Sequence, residues 1–119
     1  EPGCWQRFTT LSGASEVLKP DLFVSLGVGD LEHRWFIEID LNTHHSPAIQ
    51  RKAKQYIAYF KSGSEQANEG VFPRVLWVAE EGVRVKRLRE AVRAVRRPAD
   101  IFAFTTREDL LKTLEGQQP

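Results

Sequence analysis

The chain has 119 residues, 41% hydrophobic and 28% charged, which fits one soluble globular domain with a modest core. Seventeen basic residues against sixteen acidic give a net charge of +1, so the overall charge selects no partner, and any electrostatic argument must rest on where the charge lies. The single cysteine, Cys4, excludes an internal disulfide and fits a reducing, cytoplasmic setting. No apolar run approaches the roughly 20 residues that span a bilayer, and the polar N-terminus lacks the apolar stretch of a signal peptide.

Residues 1–3 read as a loose end, and Trp5 to Leu11 as a first strand. Ser12 to Ser15 is turn-like, Leu22 to Leu26 alternates as a strand does, and Gly27 to Asp30 is a turn. Trp35 to Leu41 is the clearest strand, with Trp35, Ile37, Ile39 and Leu41 on one face and Phe36, Glu38 and Asp40 on the other. The two segments predict a hairpin. Ser46-Pro47 has the form of a helix start, and Ile49, Ala53, Tyr56 and Phe60 give an apolar stripe that ends near Ser62-Gly63. A polar loop over 63–70 leads to a buried strand over Val75–Ala79. A helix from Gly82 to about Arg96 follows, with Val85, Leu88, Val92 and Val95 inward, before Pro98 ends it. Ile101 to Phe104 predicts another strand, and Arg107 to Glu115 a short helix capped by Thr106. The order predicts an α/β domain, a mixed sheet flanked by helices.

Glu38 and Asp40 are two residues apart on one strand and point the same way, about 7 Å apart along the chain. Inside an otherwise apolar strand they lose hydration and repel each other, and a divalent cation relieves both costs. Hard oxygen ligands suit Mg²⁺ or Mn²⁺, and Asp21, at the start of the neighbouring strand, can supply a third carboxylate. An ion held this way activates water and stabilises charge on a phosphodiester oxygen. The plain alternative is a solvated strand face.

Lys19-Pro20-Asp21, a glycine-containing turn, then Ile37-Glu38-Ile39-Asp40 resembles the signature of the PD-(D/E)XK nucleases. The resemblance implies a restriction-endonuclease-like sheet, with the first Asp and the (D/E) as metal ligands. The usual Lys falls at Asp40, a departure from the pattern. Gln55 and Tyr59 match the QxxxY motif of RecB-like members. Closer still is the resemblance to the replication-relaxation family of actinobacteria, plasmids and other mobile elements. It is carried by the PD, the E-x-D strand, the Lys/Arg-rich helix ending Tyr-x-x-Tyr-Phe-Lys-Ser-Gly, and the Phe72-Pro73-Arg74-Val75 strand. It implies a role in plasmid replication and an upstream winged-helix region. The chain contains no Met and reads as a fragment of a longer protein, with that region or a second copy as its neighbour.

These residues define the expected site. Asp21, Glu38 and Asp40 hold the metal, and Lys52 supplies the missing lysine from the helix, on the flank it shares with Gln55 and Tyr59. The helix from Gly82 carries Arg84, Lys86, Arg87, Arg89, Arg93, Arg96 and Arg97 against Glu90 alone, a local charge of +6. Arg84, Arg87, Arg89 and Arg93 are therefore expected on DNA phosphates, with a solvated helix face as the plain alternative. His44 and His45 are expected to make loop contacts, and Glu16, five residues before Asp21, is a candidate for the acidic residue that related folds sometimes supply from an upstream helix. The resulting expectation is a metal-dependent DNA endonuclease domain. Its rival is a nuclease fold without chemistry that binds DNA or protein.

Overall fold

The computed structural model describes residues 4–29, 31–42, 45–69, 72–95 and 100–115. Its centre is a four-stranded sheet in the order β3-β4-β5-β6, from β3 (Leu22–Val28), β4 (Leu31–Ile39), β5 (Arg74–Ala79) and β6 (Phe102–Thr106). β3 and β4 form the expected antiparallel hairpin, with Gly29 in the left-handed conformation at its turn (φ 62°). β5 joins β4 in parallel and β6 joins β5 in parallel, so the sheet is mixed. A separate hairpin, β1 (Gln6–Thr9) with β2 (Ser15–Leu18), precedes it.

Two helices cover one face of the sheet. α1 (Ser46–Ser62) buries Ile49, Ala53, Tyr56, Ile57 and Tyr59, and α3 (Gly82–Arg93) buries Val85, Leu88, Ala91 and Val92. These side chains pack on Phe36, Val75, Trp77 and Ala79, with Phe8 and Leu18 of the first hairpin closing the same core. The opposite face carries a smaller cluster, Trp35, Ile37, Leu76 and Val78, under Leu114 of α4 (Leu110–Leu114). The Trp35 indole N–H donates to the Leu114 carbonyl at 3.1 Å, so the last helix is pinned by an apolar contact and one directed bond. β5 is covered on both faces, which is why Val75 to Ala79 read as a continuous apolar run instead of an alternation.

The differences from the sequence reading are local. Ser46 is already helical, and His45 is the residue before the first turn, with no side-chain cap. α1 ends where expected, at Gly63, whose left-handed backbone (φ 75°) lets its N–H reach the Phe60 carbonyl. The polar stretch read as a loop holds a short helix, α2 (Ser64–Glu69), because Glu65 is anchored inward. Glu16 lies on β2 opposite Phe8, not on a helix. The expectations for His44, Arg96, Arg97 and Pro98 fall outside the described residues. Among the described residues no helix is long and apolar enough to cross a membrane.

Leu88 is fully buried between α3 and the sheet, whereas Leu111 of α4 is 69% exposed. Leu88→Ala is expected to cost about 2–5 kcal/mol of stability, and Leu111→Ala within about 0.5 kcal/mol. Urea unfolding of the two variants beside the wild type measures both.

Candidate functional site

The helix-facing side of β4 presents Phe36, Glu38 and, just past the strand, Asp40. Phe36 completes the aromatic core with Tyr56, Tyr59 and Phe72. Glu38 sits beside that core and is 7% exposed. Its Oε2 accepts a short hydrogen bond from the Tyr56 hydroxyl and lies 3.7 Å from the Lys52 ammonium. Tyr56 and Lys52 stand one helical turn apart on α1, so a single helix face delivers both groups to one carboxylate oxygen. Lys52 is itself steadied by donating to the Lys19 carbonyl at 2.6 Å, two residues before Asp21.

Burial pushes the Glu38 carboxyl from its ordinary value of 4.5 up to about 7. Lys52 and the Tyr56 hydroxyl pull it down but do not offset the desolvation, and the negative charge of Asp21 adds to the rise. Burial, then the adjacent Glu38 charge, raises the Tyr56 phenol well above its usual range, so it stays a donor. A carboxyl balanced near neutrality and in reach of a lysine is a functional-site signal.

Asp21 opens β3 and locks the end of the hairpin. Its N–H donates to the Ile37 carbonyl at 3.1 Å, and its Oδ2 accepts from the Ile39 N–H at 2.8 Å. Among the described residues, Oδ1 takes no protein hydrogen bond. Asp21 and Glu38 thus stand as electrostatic neighbours across the β3–β4 pair.

Asp40 does not join them. Its backbone N–H is tied to the Val78 carbonyl at 2.8 Å, and its side chain turns to α3. There Arg84 grips it with a fork, Nε to Oδ2 at 2.7 Å and Nη2 to Oδ1 at 2.9 Å. The Asp40 side chain is 2% exposed and that of Arg84 is 15%. This bond, together with the charge of Asp40, holds Arg84 above its already high ordinary pKa against the opposing effect of burial. The expected three-carboxylate set is therefore not gathered. No group of three His, Cys, Asp or Glu among the described residues is placed to hold a metal ion.

The other expected residues divide. Tyr59 lies in the core, edge-on or tilted against Phe8, Phe36 and Phe72 and donating to Glu65 at 2.7 Å. Glu65 also pairs with Arg34 of β4 at 3.1 Å. Tyr56, read from the sequence as part of the apolar stripe, is the tyrosine that touches the site. The signal for it was its position four residues after Lys52. Gln55 is half-buried on α1. Arg84, expected on DNA, is the partner of Asp40. Arg87 is exposed beside a cleft of about 470 Å³ that it lines with Asp40, Leu41 and Glu81. Arg89 lies on the other flank of α3, its guanidinium 5.4 Å from the Phe104 ring centre, and Arg93 is exposed. The four arginines do not form one face.

Asp21 and Glu38 are the two carboxylates that could contribute to a metal site. Mg²⁺ commonly takes one or two carboxylates and completes its shell with water and substrate phosphate. Asp21 and the buried, charge-frustrated Glu38 fit that demand as a pair of hard oxygen donors.

A family model described as Replication-relaxation matches residues 1–75, well over half of the chain, and the chain belongs to that family. No curated protein and no solved structure matches it.

The raised Glu38 pKa fixes the sign of a pH effect. Glu38 binds its proton more tightly in the folded than in the unfolded chain, so the folded state is penalised as pH rises from 4.5 through about 7. The penalty reaches about 3 kcal/mol above that window. Wild-type thermal stability is expected to fall across it relative to Glu38→Gln, in which the slope disappears; parallel curves for the two proteins contradict the assignment.

Proposed function

We propose that this member of the replication-relaxation family is a metal-dependent DNA nuclease domain with a restriction-endonuclease-like fold, acting in plasmid or mobile-element replication. The observation that carries the reading is Glu38, a carboxylate buried on an apolar sheet face, with Tyr56 and Lys52 aimed at one of its oxygens and Asp21 as its neighbour. The order of elements supports it: an antiparallel pair bearing the carboxylates, a helix bearing the lysine, then two parallel strands. Fold alone carries no activity, so the case rests on those side chains.

In this reading Asp21 and Glu38 hold Mg²⁺ or Mn²⁺, which when bound supplies an acidified water and stabilises charge on the phosphate. Lys52 offers positive charge to the phosphoryl oxygens as they gain negative charge. Tyr56 fixes Glu38 Oε2 and keeps that oxygen from rotating away. Arg87 and Arg93, exposed on α3, bind backbone phosphates and set the position of the strand without reading its sequence. DNA is the proposed partner, with an upstream winged-helix region or a second copy of the chain extending the contact.

Nicking of supercoiled plasmid in Mn²⁺ tests the chemistry. Glu38→Ala is expected to abolish it and Lys52→Ala to slow it about 100-fold or more. Cleavage at the wild-type rate by a folded Glu38→Ala protein removes the nuclease reading.

A second reading has its own observation: Asp40 stands where the nuclease motif has Lys, and Arg84 takes up its charge. A domain of this kind binds DNA without cutting it. Binding then survives Glu38→Ala, and Arg87→Glu with Arg93→Glu weakens it and lowers its salt dependence. Fluorescence anisotropy over a salt series measures this, and a salt-independent affinity rules the reading out.

A further inference from the structure

We infer that β3 is the contact through which two copies of this chain pair, edge to edge and antiparallel, into one continuous sheet. The pairing does not depend on the nuclease reading. β3 is an outer strand, and among the described residues its backbone bonds to β4 alone. The backbone groups along its other side are a template for a further strand. Edge strands are ordinarily protected by a charge, a proline or a covering segment. Leu22-Phe23-Val24-Ser25-Leu26-Gly27-Val28 contains no charge and no proline, and Leu22, Phe23, Ser25 and Gly27 are exposed. β6, the opposite edge, is shorter and exposes no side chain.

The strand's own sequence indicates what completes it. Antiparallel pairing about a two-fold axis at Ser25 engages the whole of β3 and keeps like faces of the two sheets together. A one-residue slip would turn the partner's helices to the opposite side. In the Ser25 register, Val24 of each copy meets Leu26 of the other. Both already pack on the smaller core of Trp35, Ile37, Leu76 and Val78, which the pairing extends across the axis. On the helix-covered side Phe23 meets Gly27, where an added Cβ would find nothing within 4 Å. The exposed ring therefore has open space to lie against, and the two-fold supplies it twice. Ser25 meets its own copy at the axis, where a small uncharged side chain brings no repulsion. A strand of another sequence would have to match both Phe23 and Gly27, whereas a second β3 carries both.

The paired sheet has eight strands, four from each copy, with both α1 helices on one side. Asp21 precedes β3 and stands four residues from the axis. The two copies' Asp21 residues then lie about 27 Å apart along the strands.

Sedimentation velocity of the full chain over a concentration series, joined to site-directed cross-linking, tests the pairing. Wild type is expected to be a dimer at micromolar concentration. Ser25→Lys sets two like charges against each other at the axis and is expected to weaken the dimer about tenfold or more. In a Cys4→Ser background, Ser25→Cys brings two thiols to paired positions with Cα atoms about 4.5–5.5 Å apart, and mild oxidation is expected to link them. Leu111→Cys, exposed on α4, is expected to stay unlinked. Circular dichroism establishes that each variant is folded, and the cross-link decides the matter should Ser25→Lys fail to fold. A monomeric wild type at every concentration overturns the inference. So does a dimer that folded Ser25→Lys leaves intact, one whose Ser25→Cys thiols do not link, or one in which Leu111→Cys links as readily. None of these readouts is DNA cleavage, so failure here leaves the nuclease reading untouched.

Discussion

Placing a carboxylate on the apolar side of a sheet costs free energy unless the protein supplies compensation, and Glu38 is where this fold meets that cost. Its position on β4 is dictated by the alternation that also buries Phe36, so it cannot turn to solvent without inverting the whole strand. The compensation comes from α1, through the Tyr56 hydroxyl and the Lys52 ammonium. The apolar stripe of α1, Ile49, Ala53 and Ile57, seats the helix on the same face, and Lys52 ties it to the chain just ahead of Asp21. Compensation is incomplete, as the upward displacement of the Glu38 pKa records. A residual preference for positive charge is therefore built into the site before any ligand arrives.

A second buried acid, Asp40, is handled differently. Arg84 satisfies both of its oxygens with directional bonds, leaving no comparable unmet demand. Two carboxylates separated by one residue thus have opposite characters. The difference arises from the helix each one faces: α1 offers Glu38 a hydroxyl and a flexible ammonium, and α3 offers Asp40 a planar fork whose geometry matches a carboxylate.

β3, β4 and the two long helices were legible in the sequence because each has one strong period, and β5 because it is an unbroken apolar run. Trp35 to Ile39 alternates cleanly, and Ile49, Ala53 and Tyr56 recur at helical spacing. The shared face of Glu38 and Asp40 followed from the same alternation. What could not be read was which helical group meets which carboxylate. Tyr56 and Tyr59 are both apolar rings with a hydroxyl, and only the rotation of α1 against the sheet decides that Tyr56 meets Glu38 while Tyr59 meets Glu65. The arginines of α3 were likewise countable but not assignable, since a run of positive charge does not say that its first member points inward. β2 escaped notice because Ser15 to Leu18 is too short and mixed to show a period, and α2 because its anchor, Glu65, is a buried charge in a polar stretch.

The mixed topology of the sheet has a kinetic side. β3 and β4 close through a tight turn, at small loop entropy, and that closure alone brings Asp21 against the end of β4 through the Ile39 N–H. The Asp40–Arg84 contact spans 44 residues and waits on the parallel addition of β5 and the docking of α3. Local closure therefore brings Asp21 and the Glu38 strand together at little entropic cost, and the long-range contact that neutralises Asp40 is among the slower ones to form.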